Sequence, residues 1–66
     1  MSVVVNGQAR TVDAPLSVAE LVDALGLFGK RIAIERNGEI VPKSAYARTL
    51  VDRGDRLEIV AAVGGG

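Results

Sequence analysis

Apolar and polar positions along this chain follow a period of two near both ends and a helical period between them. Val3-Val4-Val5 and Arg10-Thr11-Val12 are short β-branched runs separated by Asn6-Gly7, a pair that tolerates positive φ, and together they predict a hairpin. Ser17-Val18-Ala19-Glu20, just after Pro15, has the spacing of a capping box, in which Ser17 accepts from the amide three residues on and Glu20 reaches back. The helix that follows carries Val18, Leu21, Val22 and Leu25 at i, i+3, i+4 and i+7, with Glu20 and Asp23 turned elsewhere and Gly26 closing it. From Arg31 the period returns to two, with Ile32 and Ile34 opposite Ala33 and Glu35, until Asn37-Gly38 predicts a second turn. Glu39-Ile40-Val41 reads as a short strand stopped by Pro42, and Ser44-Ala45-Tyr46-Ala47 as a helical or 3₁₀ turn capped by Ser44. After an Asp52-Arg53-Gly54-Asp55 turn comes a last strand in which Leu57, Ile59 and Ala61 alternate with Arg56, Glu58 and Val60.

One helix must then cover a sheet whose strands show mostly one apolar face, so the expected fold class is α+β. The expected architecture is a β-grasp: a mixed sheet of four to five strands curled around one main helix. Val3–Val5 and Leu57–Ala61 form its central strands, parallel to each other. Sixty-six residues fit a single domain, 1–66, in which 62–66 is expected to be a flexible Gly-rich tail.

Eight Lys or Arg balance eight Asp or Glu, and the isoelectric point is near 6.1. The chain therefore presents no net basic field, and only Phe28 and Tyr46 exist to stack on bases, so no nucleic-acid partner is expected. Its longest apolar run, Ile59 to Val63, is far short of the roughly 18 residues of a membrane span, and Met1-Ser2-Val3 lacks the charged start of a signal peptide. No membrane association is expected, and the location expected is cytoplasmic.

Cys and His are both absent, which removes disulfides, a thiolate metal site, a cysteine nucleophile and a histidine base. Lys43-Ser44 is a formal Ser-Lys pair, but Ser44 has a simpler role as a cap. Asp52 with Asp55 and Glu35 with Glu39 bracket turns, where carboxylates serve solvation and capping. No catalytic residue of the chain's own and no metal site are expected. What stands out is Val63-Gly64-Gly65-Gly66. A run without Cβ atoms can thread a narrow channel, and from Ala61 to Gly66 it reaches about 17 Å at ~3.3–3.6 Å per residue. Its α-carboxylate is ionised at neutral pH and can act as an oxygen nucleophile toward an activated phosphate. A frayed terminus would also favour Gly, so composition leaves both readings open.

Ala33-Ile34-Glu35-Arg36-Asn37-Gly38-Glu39-Ile40-Val41-Pro42-Lys43, then Gly54 to Val60, then Val63-Gly64-Gly65-Gly66 resemble the ThiS family, the ubiquitin-like sulfur carriers of thiamine biosynthesis. That resemblance spans nearly the whole chain and implies a protein cosubstrate rather than an enzyme. It implies that Gly66 becomes an acyl adenylate and then a thiocarboxylate, while Gly64 and Gly65 position it. The partners implied are an E1-like adenylyltransferase (ThiF-like) that uses ATP and magnesium, a sulfur donor such as a cysteine desulfurase, and a thiazole synthase (ThiG-like) that takes the sulfur. No cofactor would be bound by the chain itself, and a monomer that visits larger enzymes is expected. MoaD-type carriers of molybdopterin synthesis also end in Gly-Gly, although they are typically longer and often carry Pro before the tail, where this chain has Ala61-Ala62-Val63. A non-catalytic β-grasp interaction module is the other alternative. Partner binding is expected on the sheet face that the helix leaves open, through Val4, Glu58 and Val60, close to the tail.

Overall fold

A computed structural model describes residues 1–61 of the chain. Its main sheet has five strands in the order β2-β1-β7-β4-β5. The Asn6-Gly7 turn joins β1 (Ser2–Val5) to β2 (Gln8–Thr11) as an antiparallel hairpin. The Asn37-Gly38 turn does the same for β4 (Ile32–Arg36) and β5 (Glu39–Val41). Both turns place Asn and Gly at positive φ, 51° and 81° in the first and 53° and 85° in the second, the backbone that a two-residue connection of this hand requires. Between the hairpins lies β7 (Arg56–Ala61), parallel to β1 and antiparallel to β4. The sheet is therefore the mixed β-grasp sheet expected, with the first and last strands at its centre.

Helix α1 (Val18–Ala24) begins with the full capping box: the Glu20 amide donates to Ser17 Oγ at 3.0 Å, and the Ser17 amide donates to Glu20 Oε1 at 2.9 Å. Hydrogen bonding from Ser17, chiefly from its backbone amide and secondly from its side chain, holds the Glu20 carboxyl below its ordinary range. At the other end the Gly26 amide donates to Asp23 O and the Leu27 amide to Val22 O, closing the helix in a Schellman motif. Val18, Leu21 and Val22 are buried against Val3, Val5, Ile34, Leu57 and Ile59 of the sheet, while Leu25 is half-buried at the edge of that core. Complete burial of Leu21, Ile34 and Leu57 contributes about 1.5–3 kcal/mol for each side chain.

Local structure adds to or departs from the sequence reading at three points. Leu16–Ser17 and Leu50–Val51 pair as two-residue antiparallel strands, β3 and β6, too short to leave an alternating pattern in the sequence. The 3₁₀ segment runs Lys43–Arg48 and starts behind Pro42 without a side-chain cap, so Ser44 lies inside it instead of capping it. Pro42 fixes the extended backbone there, and Thr49 closes the segment, its amide and hydroxyl both donating to Ala45 O. Ala61, in alternation with Leu57 and Ile59, is exposed where they are buried, because the core ends at Ile59 on β7.

Candidate functional site

The strand that leads to the terminal glycines is the middle one of the sheet. Backbone ladders flank β7 on both sides, with Val4 opposite Arg56, Val5 opposite Leu57, and the run from Arg36 to Ile32 opposite Leu57 to Ala61. Each Asn-Gly turn adds a side-chain clamp. Asn6 accepts from the Ile59 amide at 2.7 Å through Oδ1 and donates to Ile59 O at 3.0 Å through Nδ2, so its amide group acts as one further rung of the β1 ladder. Asn37 accepts from the Arg56 amide at 2.9 Å and donates to Asp55 Oδ1 at 3.0 Å.

Asp55 caps its turn as expected but is not solvated there: it is a buried anchor, only 6% exposed. It accepts from Arg36 Nε at 2.7 Å, from the Asp52 amide at 2.7 Å and from Asn37. Burial alone would raise its pKa, but the bonds from Arg36, Asp52 and Asn37 and the guanidinium charge together hold the carboxyl below its ordinary value. Among the described residues Arg36–Asp55 is the only ion pair. Pattern reading found Asn6, Asn37 and Asp55 as turn residues and missed these roles, because their partners lie up to 53 residues away.

Val4, Glu58 and Val60 do share the outer sheet face, but the two valines do not adjoin each other. Val4, half-buried, stands beside Ala9 and Arg56, whereas Val60, 57% exposed, stands beside Ala33 four residues further along β7. Between them Glu58 lies directly opposite Glu35, and Glu35 lies opposite Ile40, which is 77% exposed. Ile40 is a surface apolar residue that alternation alone left unassigned; the β4–β5 register brings it to this face. Two carboxylates directly across a ladder repel each other. The face is thus apolar at Val60 and Ile40 and negative between them.

Gly64, Gly65 and Gly66, the expected reacting end, lie outside the described residues. Among the described residues no group of three His, Cys, Asp or Glu side chains is placed to hold a metal ion, and no helix is long and apolar enough to cross a membrane.

One helix held in a five-stranded mixed sheet, with the last strand central and clamped at two points, defines a ubiquitin-like β-grasp protein. The ThiS family model matches residues 3–66, and the chain belongs to that family. A crystal structure of ThiS, a thiamine biosynthesis protein from Geobacter metallireducens, superposes with a TM-score of 0.85 over the whole of both chains, at 38% identity. All 66 residues are 50% identical to part of a thiazole synthase of Paramagnetospirillum magneticum, of which they span 20%. They are also 35% identical to the uncharacterized protein ycf40 of Porphyra purpurea, 93% of which they span. The chain therefore corresponds to about a fifth of the thiazole synthase it resembles.

Proposed function

We propose that this chain is a sulfur carrier of thiamine biosynthesis, acting through the α-carboxylate of Gly66 as a cosubstrate of other enzymes. What carries the proposal is the ThiS-family match, which runs to residue 66, together with a central strand clamped at Arg56 and Ile59, the scaffold needed to aim that end. A ThiF-like adenylyltransferase would couple the carboxylate to ATP with loss of pyrophosphate, because a carboxylate oxygen is too poor a leaving group to be displaced directly. The terminal sulfur of a donor such as a cysteine desulfurase persulfide would attack the acyl carbon and displace AMP, giving an acyl disulfide. A thiol reductant would then cleave its S–S bond, leaving the thiocarboxylate on Gly66 and returning the donor's cysteine thiol, with the reductant oxidised to its disulfide. A ThiG-like thiazole synthase would take the sulfur and return the carboxylate. Gly64 and Gly65 position the reacting carbon without a Cβ to obstruct an enzyme channel.

Partner enzymes would dock on the outer sheet face, around Val60 and Ile40. The opposed Glu35 and Glu58 suit a cationic side chain of the partner, which would relieve their repulsion. Family membership and the kinship with a thiazole synthase favour thiazole over molybdopterin delivery. The test is ATP–pyrophosphate exchange catalysed by a ThiF-like enzyme: the full chain supports exchange, and a chain lacking Gly65-Gly66 does not. Exchange with the shortened chain at the full rate would refute the role given to Gly66.

A further inference from the structure

Both aromatic residues of the chain, and three of its eight basic residues, gather at one cleft on the helix side of the sheet, away from Val60 and Ile40. This cleft, about 530 Å³ in volume, opens between α1, the loop that follows it and the 3₁₀ segment. Buried Val22, half-buried Ile32 and half-buried Tyr46 line it. Phe28 stands at its rim, 77% exposed. A hydrogen-bonded turn holds it there: the Leu27 amide donates to Val22 O at 3.0 Å and the Lys30 amide to Leu27 O at 3.1 Å. Lys30, Arg31 and Lys43 also line the cleft, and none of the eight acidic residues does. Among the described residues none of these three cations is in an ion pair.

In a chain of zero net charge, this is a local excess of three positive charges on an apolar surface. Aromatic residues and Arg on an otherwise apolar surface are the composition of a protein–protein contact centre. The exposed Phe28 ring extends the apolar lining of Val22, Ile32 and Tyr46 to the rim, where a partner can cover it, and the cations set that partner's sign. We propose that the cleft is a second docking site, which takes an apolar side chain flanked by carboxylates on a protein partner. The site is independent of the Gly66 chemistry and faces away from the outer sheet surface, so a partner held here leaves that surface uncovered.

The test titrates the isotope-labelled full chain, at low salt, with an acetylated and amidated peptide of Asp and Glu around a central Leu pair. Amide shifts are expected at Ala19, Val22, 27–32 and 43–47, and are expected to fade in high salt. Phe28→Ala and the Lys30→Glu/Lys43→Glu pair are each expected to weaken binding about tenfold. All these positions except Phe28 are charged and exposed, and Phe28 itself is exposed, so the variants keep the fold, which their spectra verify directly. An absence of shifts at millimolar peptide, equal binding of a Lys-for-Glu peptide, or shifts centred on Val4, Glu58 and Val60 would overturn the proposal. So would cleft shifts that grow with protein concentration alone, which would give the site to a second copy, or that follow removal of 62–66, which would give it to the chain's own end.

Discussion

The two Asn-Gly turns have almost the same backbone and send their asparagines to the same strand, yet they hold it by different chemistry. Asn6 meets only neutral backbone, one amide and one carbonyl of Ile59. Asn37 meets the Arg56 amide and the carboxylate of Asp55, which is itself held by Arg36 and the Asp52 amide. One anchor is a rung added to a ladder and the other is part of a charge-assisted network. The difference teaches that one hairpin signal in the sequence fixes the turn and leaves its long-range role to the register. It also separates the two ends of β7: the network holds the strand's beginning, and the neutral rung holds it two residues before the exposed end that leads to the tail.

The sharpest way to break the comparison is Asp55→Ala. It leaves Arg36 and the Asp52 amide without their acceptor and is expected to cost about 2–3 kcal/mol in urea unfolding. Acid should act on the same anchor. Because the folded-state pKa of Asp55 lies below its ordinary value of 3.8, its contribution is fully present above that value. It is lost as the pH falls below 3.8 through the folded pKa. Amide exchange in native protein should then show protection at Arg56 falling in that window while protection at Ile59 holds. Equal loss at both amides would dissolve the distinction.

A smaller effect sharpens the other side. Asn6→Asp keeps a residue that tolerates positive φ and an acceptor for the Ile59 amide, but turns a carboxylate oxygen toward Ile59 O in place of a donor. It should cost about 1–2 kcal/mol, with the greatest loss of amide protection toward the end of β7. Smallest of all, and opposite in sign, Glu58→Lys replaces a repulsive cross-strand pair with an attractive one. It should stabilise the free protein by about 0.5 kcal/mol while raising the KM for the adenylyltransferase; higher stability with unchanged KM would remove Glu58 from the docking face.

Local patterns made most of the fold legible. The capping box, the Val18-Leu21-Val22 stripe, both Asn-Gly hairpins and the alternation of β7 depend on residues within a few positions of one another. The β3–β6 pair, the burial of Asp55 and the meeting of Ile40 with Glu35 and Glu58 depend on register and on contacts between distant segments. Phe28 and Tyr46 were visible only as two scarce aromatics, since no spacing in the chain marks them as sharing a cleft. For the site, a glycine end could be read as chemically suggestive, whereas the clamps that would aim it could not.

Intact-mass analysis of the protein incubated with a ThiF-like adenylyltransferase, ATP, magnesium, a persulfide donor and a thiol reductant is the most direct measurement of the central claim. The account predicts a species in which one oxygen of the Gly66 carboxylate is replaced by sulfur, formed only with ATP present. An unaltered mass, with the same enzyme and donor shown to modify another ThiS-family protein, would contradict it.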